Sequence, residues 1–288
     1  MPPQSKIKLK KVEFYITNVC NLTCNNCNRF NNHKFKGWQS WADYKDIYAK
    51  WSENIELNTI TLLGGEPLLN PTVIDWIKGL RELWPTTQLE LLTNGYRLNE
   101  VNGLYDALLK HCWFASVSVH NTNEAKIILS EVDKFLQQPV NKEFHNPENL
   151  DNYCLIDKNF FKIHVMKEDM FAESAIKIIN NKITLHDSDP VKAHDICAMA
   201  QCKSYHFIKG KLYKCGPAAL FPEIDQQFGL DLSNEDRNLI NSYRPLTVDN
   251  FEEFHSEFFA NLDNPIPQCK FCPEEHNLKT IYPLVKGS

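Results

Sequence analysis

The sequence predicts an α/β protein built on a parallel sheet, open or closed into a barrel. Three observations lead there. Short β-branched or aromatic runs alternate with amphipathic stretches of helical spacing through about residue 170. The conspicuous glycine and polar residues fall just after those runs, at the strand C-terminal ends where α/β folds gather their sites. A chain of 288 residues, 43% hydrophobic and 23% charged, can bury a substantial core and is not disordered.

Residues 12–17 (VEFYIT) read as the first strand. Ser40 with Asp43 has the pattern of a capping box, and Trp41, Tyr44, Ile47, Tyr48 and Trp51 follow at helical spacing. Residues 58–63 form a second strand ending at Gly64-Gly65-Glu66-Pro67. Asn70 as N-cap and Pro71 at the first helical position then start a helix that turns Val73, Ile74, Ile77 and Leu80 inward. The unit repeats: strand 88–92 ends in Thr93-Asn94-Gly95 before a helix near 99–110, and strand 113–119 ends in His120-Asn121 before a helix near 123–137. Residues 160–165 make a fifth strand, delayed by the polar stretch 138–159. Beyond 170 the rhythm fades. Residues 178–185 take no clean assignment, 205–208 and 211–214 flank Gly210 as a hairpin, and 249–262 read as helix. A boundary near 190 divides the chain into units 1–190 and 191–288.

No apolar run approaches the ~18–20 residues of a membrane span, and the basic start of the chain lacks the apolar stretch of a signal peptide. The expected location is the cytoplasm, without a membrane partner. A net charge of −5 gives no reason to expect nucleic acid. The anomaly is ten cysteines, at 20, 24, 27, 112, 154, 197, 202, 215, 269 and 272. In a reducing compartment their spacing points to metal or catalysis before disulfides.

Cys20, Cys24 and Cys27 form C-x3-C-x2-C, close enough for three thiolates to face one small inorganic body. Structural zinc and electron-transfer clusters take four protein ligands, so a trio suggests a [4Fe–4S] cubane with one open iron; a zinc knuckle borrowing His33 or His111 is the alternative. This trio directly after the first strand, headed by Cys-Asn-Leu, with Gly-Gly-Glu-Pro after the second strand, resembles the radical S-adenosylmethionine (SAM) superfamily over residues 10–170. The resemblance implies a partial (β/α)6 TIM-like barrel in which SAM chelates the open iron and is cleaved to a 5′-deoxyadenosyl radical. It implies that Gly64, Gly65, Glu66 and Pro67 receive the SAM amino group on backbone carbonyls, the glycines allowing close approach and unusual backbone angles. Thr93, Asn94, Ser116 and Ser118 stand where the family contacts the ribose and carboxylate, and His164, Val165 and Met166 would lie near the adenine. Asn26 departs from the aromatic residue that many members carry before the third cysteine.

Downstream, Cys202, Gly210-x4-Cys215 and Cys269-x2-Cys272 resemble the twitch form of the SPASM auxiliary module, a β-hairpin plus helix. That resemblance implies a second, auxiliary [4Fe–4S] cluster on Cys202, Cys215, Cys269 and Cys272; spacing alone equally permits a zinc ribbon. Cys197 is either a replacement ligand or a free thiol that returns hydrogen to a substrate radical. Cys112, ahead of its strand, reads as a small buried residue. A radical SAM enzyme of this kind would act on a small sugar, cyclitol or amino-acid-like substrate by oxidation or epimerisation, or on a ribosomal peptide. The short stretch before the first strand leaves no room for a leader-binding domain, which favours the small substrate. Flavodoxin or ferredoxin is the family's electron donor. A non-catalytic zinc protein is the reading of another class. His120 at a strand end is as suited to a structural as to a catalytic role.

Overall fold

A computed structural model describes residues 6–34, 36–136, 141–144, 153–156 and 161–281, with the backbone alone at 122, 141–144 and 153–156. Strands and helices alternate as β1 (Ile7–Tyr15), α1 (Trp41–Asn54), β2 (Ile55–Leu63), α2 (Val73–Leu83), β3 (Gln88–Thr93), α3 (Leu104–His111), β4 (Phe114–Val119) and α4 (Ala125–Leu136). Then come β5 (Asn141–Phe144), β6 (Tyr153–Ile156), β7 (Lys162–Lys167), β8 (Met170–Ala172), β9 (Ile176–Ile179), β10 (Lys182–Leu185), α5 (Pro190–Asp195) and α6 (Ala198–Cys202). The chain closes with β11 (Ser204–Ile208), β12 (Lys211–Tyr213), α7 (Gly216–Phe228), α8 (Asn234–Asn241), α9 (Phe251–Ala260) and β13 (Leu278–Thr280).

The main sheet has the order β12-β11-β1-β2-β3-β4-β7-β6-β5. From β11 to β7 every neighbour is parallel, as a partial TIM-like barrel requires. The sixth parallel strand, β11, follows the predicted boundary near 190 yet pairs with β1 at the opposite edge, so the sheet runs on across that point. The fifth predicted strand is β7; residue 160 lies outside the described residues, and the delay before it contains the antiparallel pair β5–β6.

Side-chain alternation gives the strands two unlike faces. Val12, Phe14, Ile60, Leu62, Leu89, Leu91, Ala115, Val117, Ile163, Val165 and Phe207 belong to the main hydrophobic core with residues of α1 to α4. Each large side chain buried there contributes roughly 1.5–3 kcal/mol. On the opposite face Lys11, Glu13, Thr61, Glu90 and Ser118 border a cavity.

Several predicted boundaries shift for identifiable reasons. Ser40 takes the N-cap of α1, but its hydroxyl accepts no helix N–H. Residues 67–69 wind into a 3₁₀ turn, so α2 starts at Val73 with Thr72 as N-cap. Asn70 instead donates to Ile16 O and Gln39 O, both at 2.8 Å, and accepts from Thr72 N. Helix α3 begins only after Gly103, whose φ is 78°. The unassigned residues 178–185 lie in hairpin β9–β10, turned by Asn180 and Asn181 at φ 51° and 62°. The 205–214 hairpin forms as predicted, with Lys209 and Gly210 both at positive φ, as a two-residue type I′ turn needs. Trp51 Nε1 donates to Gly210 O at 2.9 Å and Gly210 N donates to Tyr48 Oη at 3.2 Å, which fastens the turn to α1.

Candidate active site

The first three cysteines sit on the loop that leaves β1, and the structure braces this loop from every side. Gly65 N donates to Thr17 O (2.7 Å) and Glu66 N to Val19 O (2.8 Å), extending the β1–β2 pairing past the strand ends. A Cβ on Gly64 would stand 2.6 Å from Thr17 Cγ2, and one on Gly65 would stand 2.3 Å from Val19 O. Close approach is therefore what these glycines supply. Neither glycine adopts positive φ, so the left-handed backbone is not what they are needed for. Asn94 Nδ2 donates to Asn21 Oδ1 at 2.7 Å, Asn26 accepts from Ser174 N at 3.3 Å, and Asn25 N donates to Ile281 O at 3.0 Å. Asn26 itself adopts φ 60°, a left-handed turn that asparagine tolerates better than a bulky aromatic residue.

Cys20, Cys24 and Cys27 border a cavity of about 340 Å³ together with Gly64, Gly65, Thr93, Asn94 and Ser118. Burial pushes the Cys24 thiol up to about 12 and Cys20 higher still, so deprotonation here needs the compensating charge that a metal cluster brings. Three thiols beside a glycine cradle fit a three-ligand cluster with SAM alongside.

Four predicted cofactor residues do not face the cavity. Glu66 is fully buried and points the other way, accepting from Thr93 Oγ1 (2.6 Å), Asn94 N (2.8 Å) and Leu68 N (3.1 Å). Burial raises its carboxyl to about 6 against those hydrogen bonds. Its side chain thus positions the Thr93-Asn94 corner, while Pro67 is buried in the 3₁₀ turn. Ser116 donates to Glu90 Oε1 at 2.6 Å. Val165 lies in the main hydrophobic core, and its neighbour Met166 borders the cavity, because adjacent strand residues face opposite ways.

The cavity wall also holds Lys11, Glu13, Arg29, Glu90, His120 and Glu168, of which only His120 was singled out from sequence. The available signal was a charged residue at alternate positions of otherwise apolar strands. Arg29 Nη2 donates to Glu13 Oε2, and His206 Nε2 lies 2.8 Å from the same oxygen. Burial, the largest single influence, opposes the charge on Glu13, but Arg29, the His206 contact and Lys11 together outweigh it and hold the carboxyl well below the usual range; burial keeps His206 below the ordinary imidazole value. Glu90 accepts from Thr61 Oγ1 at 2.8 Å as well as from Ser116. His120 Nδ1 is 2.9 Å from Glu168 O, and burial lowers its pKa.

The later cysteines converge, with one exchange. Cys197, Cys215, Cys269 and Cys272 border a second cavity of about 50 Å³; Cys202, the predicted fourth ligand, is exposed and outside it. Cys197 is the N-cap of α6 and Cys202 its last residue. Five helical positions turn a side chain by about 140°, so only one of the two can face inward. Cys215 is the N-cap residue of α7, whose N-terminal dipole favours negative charge, and its side chain makes no cap hydrogen bond. Cys269 and Cys272 share a tight turn, with Cys272 N donating to Cys269 O at 3.0 Å. Among the described residues no group of three His, Cys, Asp or Glu side chains closes around a single metal ion; these thiols border a cavity instead. Met199 borders both cavities. Cys112 is buried in the core as expected, and the Cys154 side chain lies outside the described residues.

A parallel α/β barrel with three thiols and a glycine cradle at its strand ends defines a cofactor-dependent enzyme site. Residues 14–150 match the sequence model of the Radical SAM superfamily. A GTP 3′,8-cyclase of Nautilia profundicola is 30% identical over 128 residues, 43% of this chain and 40% of that protein. A GTP 3′,8-cyclase of Aquifex aeolicus is 30% identical over 126 residues, 41% and 37% of the two chains. The chain thus spans about two fifths of the length of these relatives. The crystal structure of BtrN in complex with AdoMet and 2-DOIA is similar in fold, with a TM-score of 0.50 and 15% identity over 95% of this chain and 98% of that one. No helix among the described residues is long and apolar enough to cross a membrane.

Proposed function

We propose that the chain is a radical SAM oxidoreductase acting on a small polar substrate, a sugar, cyclitol or amino-acid-like molecule, with a [4Fe–4S] cluster on Cys20, Cys24 and Cys27 and an auxiliary one on Cys197, Cys215, Cys269 and Cys272. Bound SAM and the first cluster would supply a 5′-deoxyadenosyl radical, and the second cluster an electron acceptor. The observation that carries this reading is the pair of cysteine-bordered cavities sharing Met199, which puts the space between them within reach of both centres. Gly64, Gly65, Thr93, Asn94 and Ser118 would hold SAM, and the polar wall of Lys11, Glu90, His120 and Glu168 the substrate.

Oxidation is favoured over epimerisation by the position of Cys197. With that thiol in the four-cysteine set, the larger cavity holds no described cysteine beyond the first three to return a hydrogen atom. The wall also argues against a triphosphate such as GTP. Among the described residues its two Lys or Arg side chains, Lys11 and Arg29, share the wall with Glu13, Glu90 and Glu168, and Arg29 is already paired with Glu13.

Anaerobic reconstitution with iron and sulfide tests the reading. The protein should turn brown with about eight irons per chain, form 5′-deoxyadenosine from SAM under strong reductant or a flavodoxin, and oxidise a polyol or amino alcohol by two hydrogens. Colourless protein that holds zinc and leaves SAM intact would overturn it.

A further inference from the structure

Among the described residues Lys214 is the one Lys or Arg bordering the four-cysteine cavity, and it is only 7% exposed. Its backbone N–H donates to Tyr243 Oη at 2.9 Å, which fixes the residue at the end of β12 immediately before Cys215. Its ammonium donates to Asn264 O and, at 3.2 Å, to His194 Nε2. An ammonium has three N–H donors, and the third has no protein acceptor among the described residues. No carboxylate lies within ion-pairing distance of it there; Asp263, the acidic neighbour, is paired with Lys203 at 2.7 Å. A buried cation without a carboxylate partner is unfavourable unless another anion faces it, and the neighbours on the same cavity wall that could supply that charge are the thiols of Cys197, Cys215 and Cys269.

We propose that Lys214 sets the reduction potential of the four-cysteine centre, by fixing a buried positive charge and an unused N–H donor against it. The inference rests on the reading of that cavity as an auxiliary [4Fe–4S] site. Four thiolates around a 2+ core sum to a formal charge of −2, and one added electron makes it −3. A fixed cation therefore stabilises the reduced state more than the oxidised one and raises the potential, as does a hydrogen bond to a ligand sulfur. A centre poised upward accepts an electron more readily, which suits substrate oxidation.

The test is a potentiometric titration of the full, reconstituted chain followed by EPR, the second cluster being recognised by a signal that SAM does not perturb. Lys214→Met keeps the length and removes the charge; Lys214→Arg keeps the charge. The expected result is a midpoint shifted to more negative potential in Lys214→Met and close to the parent in Lys214→Arg, with iron content unchanged. An unshifted midpoint in Lys214→Met with both clusters assembled overturns the inference and leaves the cluster reading intact. Should Lys214→Met fail to hold the second cluster, the parent decides. With side-chain 15N-labelled lysine, pulsed EPR of the reduced second cluster should show a nitrogen coupling that Lys214→Arg lacks, and no such coupling overturns the inference. A parent chain that binds only about four irons overturns the four-cysteine reading itself.

Discussion

Exchanging Cys197 and Cys202 one at a time separates the ligand set drawn from resemblance from the one drawn from geometry. Cys202 ends α6 and is exposed, so Cys202→Ser should behave as an ordinary surface change, within about 0.5 kcal/mol. In a chain of this length 1 kcal/mol moves Tm by about 2 °C, so the shift should stay near 1 °C or below. Iron content should remain about eight per chain. Cys197→Ser removes one thiol of four from the second cavity. It should lose the second cluster and fall to about four irons, keeping the SAM-perturbed EPR signal of the first. Iron and sulfide analysis with EPR reads both outcomes on one preparation. If Cys202→Ser loses iron while Cys197→Ser keeps it, the helical-phase argument that places Cys197 inward is refuted.

Cys24→Ala should abolish 5′-deoxyadenosine formation while the second cluster assembles; undiminished SAM cleavage would contradict the ligand role. Glu66→Gln must leave at least one of the donors Thr93, Asn94 N–H or Leu68 N–H without its carboxylate oxygen, at a cost of about 2–3 kcal/mol or a Tm lower by about 4–6 °C. Because burial raises the Glu66 carboxyl from 4.5 to about 6, the folded state binds its proton more tightly than the unfolded one. That stability is present below pH 4.5 and lost as pH rises through about 6. Urea unfolding of parent and Glu66→Gln across this window isolates the effect as a difference: the stability gap between the two should narrow as pH rises through about 6. Gly65→Ala drives a Cβ to 2.3 Å from Val19 O and should displace the cysteine loop, costing about 1–3 kcal/mol and weakening the SAM-induced change in the first cluster's EPR signal.

The alternating elements were legible because each has a local period: two for strands such as 12–17, and 3.6 for the Trp41–Trp51 stripe. Boundaries slipped where a residue had a stronger tertiary partner than the predicted local one. Asn70 has the composition of an N-cap, yet it spends its side chain on Ile16 O and Gln39 O. Ser40 sits at the N-cap without capping. The charged cavity wall escaped notice because Glu13 and Glu90 occupy strands that are apolar on their other face. Only the register of β1, β2 and β3, which pairs Glu13 with Thr61 and Thr61 with Glu90, brings these positions to one cavity.

The sequence alone determined the chemistry that rests on contiguous residues. Three cysteines within eight positions and a Gly-Gly-Glu-Pro segment after the next strand need only one strand pair to meet, and the chain's own reach ensures it. What the tertiary structure decided is the choice among scattered residues of the same type. Five candidate thiols lie between 197 and 272, and nothing in their spacing says which face α6 turns inward. The fold turns Cys197 and Lys214 toward the second cavity and leaves Cys202 outside, just as it turns Met166 toward the first and Val165 away. Side-chain direction depends on the phase of a helix or strand relative to its neighbours, and that phase is set by packing between distant segments.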